Sequence, residues 1–208
     1  MKVAQLPQFI HWMVKFTPIL LITILFGCET TSQLPLHSVE YTAHQQKLST
    51  LTQFRVSGKL GYIDPNQRQS LNFTWDQSPQ SSQLRLSTFL GKTVLNLTMD
   101  DQGASVTDMD GNRYFDPNAD QLFYQLTGMR LPIVYMRDWI KGQPTQADHF
   151  AVSGNGTLSS LSQTRGDQTW TMDYLNYNDE QELILPNKMT LSRQQIKLNI
   201  VINRWNLK

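Results

Sequence analysis

The sequence predicts a mainly β fold: an antiparallel sheet with a few short helices, in one domain. Three observations lead there. Apolar residues recur with a period of two along many short segments, which turns one face of each segment inward and leaves the other wet. Between those segments stand Asp, Asn, Gly and Pro in combinations that reverse the chain. Once an apolar leader is set aside, residues 28–208 fall within the usual size range of a single core.

Residues 1–27 hold Lys2 and Lys15 and no acid, followed by an apolar run from Phe16 to Phe26 and then Gly27 and Cys28. A membrane span needs roughly 20 mostly apolar residues, and this run is about half that. It ends at a small residue beside a cysteine, as a signal peptide does. Met13 offers a second start, which would place Met13-Val-Lys15 directly before the run. Leu25-Phe26-Gly27-Cys28 resembles the lipobox of bacterial lipoproteins, in which the cysteine becomes the acylated first residue; Phe26 stands where that pattern has a small residue. Cys28 is the single cysteine, so no intramolecular disulfide can form. The expected organisation is a lipoprotein signal peptide over 1–27, a polar lipidated tether over 28–37 and one folded domain over 38–208.

The chain has 18 basic and 17 acidic residues, and losing Lys2 and Lys15 leaves 16 basic, so the mature part is close to neutral. Its charges are interspersed, without the basic stripe of a nucleic-acid binder, and no nucleic-acid partner is expected.

A short helix is expected from Ser38 to Leu51, with Ser38 as N-cap and Tyr41, Leu48 and Leu51 as apolar positions. The period then becomes two. Phe54, Val56, Gly58, Leu60 and Tyr62 alternate with polar or small neighbours, and the pattern repeats at Leu71, Phe73 and Trp75, at Leu84 and Leu86, and at Leu95, Leu97 and Met99. Asp64-Pro-Asn, Gln77-Ser-Pro, Gly91 and Asp100 to Gly103 supply the turns. Asp110-Gly111 reads as a hairpin turn between strands at 104–108 and 112–114. The run Asp108 to Asn112 has its glycine two residues too early for a calcium-binding loop. Asp116-Pro117 predicts a helix start and Gly128 its stop, with Leu122, Phe123 and Leu126 as the apolar face. A second helix is expected over 132–141, with Ile133, Met136, Trp139 and Ile140 apolar. Five more strands follow, at 150–153, 157–164, 169–176, 188–192 and 195–207, about eleven in total. Short strands with one apolar face each imply a sheet that curls around something apolar.

Catalytic chemistry is hard to place. His11 lies in the leader and His37 in the tether, while His44 and His149 have no second histidine or carboxylate at metal-ligand spacing. There is no Gly-x-Ser-x-Gly elbow and no phosphate loop. No enzyme activity, metal or cofactor is expected beyond acyl groups on Cys28. On these residues alone two other classes stay open: a tethered lipoprotein of adhesive or structural role with a filled core, and a glycan hydrolase with two carboxylates brought together by folding.

Several stretches together resemble the LolB family of outer-membrane lipoprotein receptors. They are Leu51 to Tyr62, Phe73-Thr-Trp75, Leu90 to Leu97, Leu126 to Pro132, Trp139 to Pro144, Leu185-Pro186 and Ile196 to Trp205, and they span nearly the whole mature chain in one order. The resemblance implies an incomplete antiparallel β-barrel with helices as a lid over an apolar cavity. It further implies a monomer at the outer membrane, facing the periplasm, that takes lipoproteins from the carrier LolA and inserts them among outer-membrane phospholipids. Glu29 is compatible with outer-membrane sorting in that family. Candidates for the acyl-chain wall are Phe73, Trp75, Leu84, Leu86, Leu95, Leu97, Trp139 and Leu198. Leu90 matches an exposed loop leucine that the family uses for membrane delivery, and Phe89 precedes it where the family commonly has proline.

Overall fold

The computed structural model describes residues 38–107, 111–178 and 183–208. The leader, the tether with Cys28, and Asp108-Met-Asp110 of the expected hairpin lie outside the described residues. The elements are α1 (Tyr41–Thr50), β1 (Phe54–Ile63), β2 (Arg68–Gln77), β3 (Ser82–Ser87), β4 (Thr93–Met99), β5 (Ala104–Thr107), β6 (Arg113–Asp116), α2 (Ala119–Thr127), α3 (Ile133–Trp139), β7 (His149–Val152), β8 (Leu158–Arg165), β9 (Gln168–Asn178), β10 (Leu185–Arg193) and β11 (Ile196–Leu207).

All eleven strands form one sheet in the order β6-β5-β4-β3-β2-β1-β11-β10-β9-β8-β7. Two antiparallel meanders meet at its centre, where β1 pairs with β11 from Phe54 opposite Leu207 to Ile63 opposite Lys197. β6 and β7 end the order and do not pair with each other, so the barrel is incomplete. The chain must therefore travel from one edge to the other between β6 and β7. The segment that does so carries α2 and α3, whose Leu122, Phe123, Ile133, Met136 and Trp139 are buried in the same core as the strands. This topology makes the helices a bridge over the inner face. The strand registers also sort the turns: β1–β2, β3–β4, β8–β9 and β10–β11 all turn at one rim of the sheet.

The alternation read from the sequence is the alternation of burial. In β1, Phe54, Val56, Gly58, Leu60 and Tyr62 are buried while Arg55 and Lys59 are exposed. Gly58 sits at a register shift between β1 and β11. A Cβ there would lie 2.1 Å from the carbonyl oxygen of Val201 and 2.9 Å from the Phe73 ring, so only glycine admits this close approach. The shift also changes which side chains of β11 point in: Ile196, Leu198, Ile200 and Ile202 are buried in alternation, and then Trp205 rather than Arg204.

Two of the three predicted helix starts are early by two residues, and the third helix, expected over 132–141, spans Ile133–Trp139. The N-cap of α1 is Glu40 and not Ser38, because its carboxylate accepts from the N–H groups of Thr42 (2.9 Å) and Ala43 (2.6 Å). Val39 meanwhile donates to the carbonyl of Asn155, which keeps the chain out of the helix up to that point. In α2, Asp116 accepts from the N–H of Asn118 in a tight local turn, and Asn118 caps the helix by accepting from Gln121 N at 3.1 Å. Gly128 stops α2 in the left-handed region as expected. Leu126, expected on the apolar face, is 37% exposed.

Candidate functional site

Strands and helices share one apolar interior. All eight side chains predicted for the acyl-chain wall are buried in it. Phe73, Trp75, Leu84, Leu86 and Leu198 surround a small void, whereas Leu95, Leu97 and Trp139 pack elsewhere in the same core. The sheet adds Leu60 and Ile200, which share the alternation of the residues chosen from sequence and could have been taken with them. The opposite wall was missed except as a helix face: it consists of Phe123 from α2, Leu131 from the link, and Ile133, Met136 and Ile140 from α3 and its end. Trp75 adds only apolar surface to the lining because its indole N–H is turned to Ser82 Oγ at 2.6 Å; away from the void, that of Trp139 donates to the carbonyl of Thr145 at 3.0 Å.

In this closed arrangement the void measures about 20 Å³, room for about a single water molecule. An acyl chain can lie there only if the helical wall withdraws. Among the clefts beside that wall, two share a lining residue with the void. One, of about 900 Å³, lies under the start of α2 and α3, with Met99, Pro117 and Val134 in its lining; Ile133 separates it from the void. The other, of about 240 Å³, lies between α2 and the ends of β8, β9 and β10, and Leu131 is its partition.

The two ends of the helical bridge are held differently. At the far end of α3, Tyr174 donates to the carbonyl of Trp139 at 2.7 Å, Gln45 donates to that of Gly142 at 2.9 Å, and Lys141 Nζ donates to that of Leu51 at 3.2 Å. Burial depresses the Lys141 pKa, partly offset by Asp138 at 3.6 Å. Around the end of α2 the polar ties are fewer, and neither is shorter than 3.1 Å: Gln67 donates to the carbonyl of Gly128 at 3.1 Å, and the N–H of Arg130 to Tyr62 Oη at 3.4 Å. Asp120, whose carboxyl is pushed upward in pKa by burial, accepts from Val134 N at 3.2 Å and binds α2 to α3. The helices are thus tied to one another, and the α3 end has more polar ties to its surroundings than the α2 end.

The β3–β4 turn is the opposite of this interior. Thr88 accepts from the N–H of Gly91 at 2.9 Å, and Gly91 takes φ +84°, so the turn closes tightly and pushes the two residues between them outward. Phe89 is 84% and Leu90 80% exposed. Leu90 is therefore not folded into the core. Among the described residues there is no group of three His, Cys, Asp or Glu able to hold a metal ion, and no helix long and apolar enough to cross a membrane.

A family profile described as "Outer membrane lipoprotein LolB" matches residues 52–205. The chain is 46% identical over 188 residues to the outer-membrane lipoprotein LolB of Vibrio parahaemolyticus, covering 88% of this chain and 92% of that protein. It is 46% identical over 199 residues to its counterpart in Vibrio vulnificus, covering 93% and 97%. Among solved structures, a DUF1329 family protein from Desulfovibrio piger superposes with a TM-score of 0.50 at 5% identity, covering 81% of this chain and 90% of that one, a likeness of fold alone.

Proposed function

The chain belongs to the family of outer-membrane lipoproteins LolB, and from that premise we propose that it accepts lipoproteins from the periplasmic carrier LolA, shelters their acyl chains between sheet and helices, and inserts them into the outer membrane. In this reading it acts as a monomer, held on the periplasmic face by acyl groups on Cys28. The family is one of lipoprotein trafficking rather than catalysis. The observation that carries the reading is a wholly apolar lining shared between the inner face of an open sheet and the helices that bridge it.

The physical problem calls for such a device. Three acyl chains expose about 40 methylenes, whose burial is worth roughly 30 kcal/mol at about 0.8 kcal/mol each. Escape into water is then far too slow, and transfer must run from cavity to cavity and on to the bilayer. When α2 and α3 withdraw, Phe123, Leu131, Ile133 and Met136 leave the sheet and acyl chains take their place against it, so apolar contact is exchanged rather than lost. Cargo then stabilises the open form by its differential affinity, and no ATP is needed on this chain. Phe89 and Leu90 serve the last step: each gains about 1.5–3 kcal/mol on entering hydrocarbon, too little to anchor the domain but enough to aim its rim at lipid.

Two measurements test this. A fluorescent fatty-acid analogue should be taken up by the full chain; absence of uptake would leave a tethered domain with a filled core. In a reconstituted transfer assay Leu90→Glu should keep folding and acyl binding while losing delivery to membranes, and normal incorporation by that variant would remove the loop from the mechanism.

A further inference from the structure

The 240 Å³ cleft beside α2 has a chemistry that acyl-chain binding does not use. Three arginines meet there from three distant segments: Arg130 from the α2–α3 link, Arg165 from the end of β8 and Arg193 from the end of β10. Each guanidinium lies over an aromatic ring, at 3.9 Å from the centroid of Tyr124, 5.4 Å from Tyr135 and 4.8 Å from Trp170 respectively. Their hydrogen bonds go to neutral groups, the hydroxyls of Tyr124 and Tyr135 and the side-chain carbonyls of Gln146 and Gln168. Among the described residues none of the three forms an ion pair with a carboxylate. The Nε of Arg193 is buried with no acceptor. Asp120 is the one acid in the lining, and it is engaged with the backbone N–H of Val134.

Gathering like charges costs free energy that an anion would recover. Burial, and after it the nearness of Arg130, depress the pKa of Arg193, and Tyr62 and Asp167 offset this only in part. The fork of a guanidinium matches the paired oxygens of a phosphate, and aromatic rings beside it are the side chains found at the headgroup level of membranes. Location selects the source of that phosphate. Arg165 and Arg193 stand at the β8–β9 and β10–β11 turns, on the same rim as Phe89 and Leu90.

We propose that this cleft binds the phosphodiester headgroup of an outer-membrane glycerophospholipid through Arg130, Arg165 and Arg193, orienting the rim as Phe89 and Leu90 enter the bilayer. The assignment of lipid as the source rests on the reading that this rim meets the membrane; the recognition of a phosphodiester does not. Because Leu131 lines both the cleft and the apolar void, a headgroup held in the cleft brings its chains to the wall formed by the helices.

The test uses the full chain purified in a nonionic, phosphate-free detergent, with glycerophosphoglycerol as probe and the indole N–H resonance of Trp170 as reporter. We expect a saturable shift, weakened at least about tenfold by Arg193→Gln or Arg165→Gln and less by Arg193→Lys, which keeps the charge but loses the fork. Arg165 is exposed, so its variant remains informative if Arg193→Gln misfolds. Binding to phosphatidylglycerol vesicles should fall in parallel. Absence of a shift overturns the site, and equal or tighter binding of inorganic phosphate overturns the lipid source. Arginine variants that bind the probe normally overturn the site, and if they also fail to engage an acidic protein partner, the arginines belong to protein docking instead. The Leu90→Glu variant should still bind the probe; if it also delivers lipoproteins normally, the membrane reading fails while the phosphodiester site stands.

Discussion

Leu86 and Leu90 are four residues apart, Phe73 pairs with Leu86 across β2 and β3, and Phe89 stands in the turn that follows β3, yet Leu86 and Phe73 are sealed in the interior while Leu90 and Phe89 stand in solvent. Leu86 and Phe73 are 0% and 4% exposed, against 80% for Leu90 and 84% for Phe89. The difference is not one of side-chain chemistry. Residues on the inner face within β2 and β3 have strands on both sides and helices above, whereas residues in a tight turn at the rim have nothing above them. Identical hydrophobic groups therefore hold the fold together in one place and stay available to an apolar partner in the other, and substitutions should separate the two uses.

The largest expected contrast is in the interior. Phe73→Ala should cost about 3–5 kcal/mol of unfolding free energy, read from urea denaturation at unchanged slope, because a filled core cannot collapse around the deleted ring. A loss below about 1 kcal/mol would mean that the interior is already loose and that the void is larger than it looks. In the helical wall, Asn118→Ala removes the cap of α2 and should cost about 1 kcal/mol. If α2 is the part that withdraws, the same variant should take up a fatty-acid analogue faster; slower uptake would argue against that withdrawal.

The interior should also reject charge. His44 is buried, with Nε2 at 2.8 Å from the carbonyl of Ile184 and Nδ1 without a partner. Burial lowers its pKa in the folded chain, so the unfolded chain binds the proton more readily. Its contribution is full above the unfolded value near 6.5 and is lost as pH falls below that toward the depressed folded value. Stability measured from pH 7 down to 5 should decline, and His44→Gln should flatten that decline; an unchanged slope would assign it to carboxylates instead. The smallest effect belongs to the rim: Leu90→Ala should change stability by no more than about 0.5 kcal/mol, and a larger loss would mean that the turn packs on the domain in solution.

Much of this contrast was legible in the sequence. The alternation of Phe54 to Tyr62 and of Ile196 to Ile202 gave the inner face residue by residue, because a strand turns successive side chains to opposite sides whatever its partners. Gly128 and Gly91 marked a helix end and a turn, since both positions need a positive φ. The starts of the first two helices lie two residues later than predicted, because Asp116 and Ser38 are also good caps and only the surrounding hydrogen bonds choose Asn118 and Glu40 over them. The resemblance to a family pointed to Leu90, and the structure places it at the tip of its turn.

Which inward residues touch the void was not legible. Leu95, Leu97 and Trp139 have the same pattern as Phe73 and Leu86, and their distance from the void follows from how side-chain volumes fill the space between sheet and helices. Nor could the sequence bring Arg130, Arg165 and Arg193 together, since they share no local spacing. Backbone geometry repeats every two residues in a strand and is written locally, so the chain alone determined an antiparallel sheet with one apolar face. The closed helical wall, the nearly filled interior and the arginine cleft depend on contacts between segments tens of residues apart, and only the folded packing decides those.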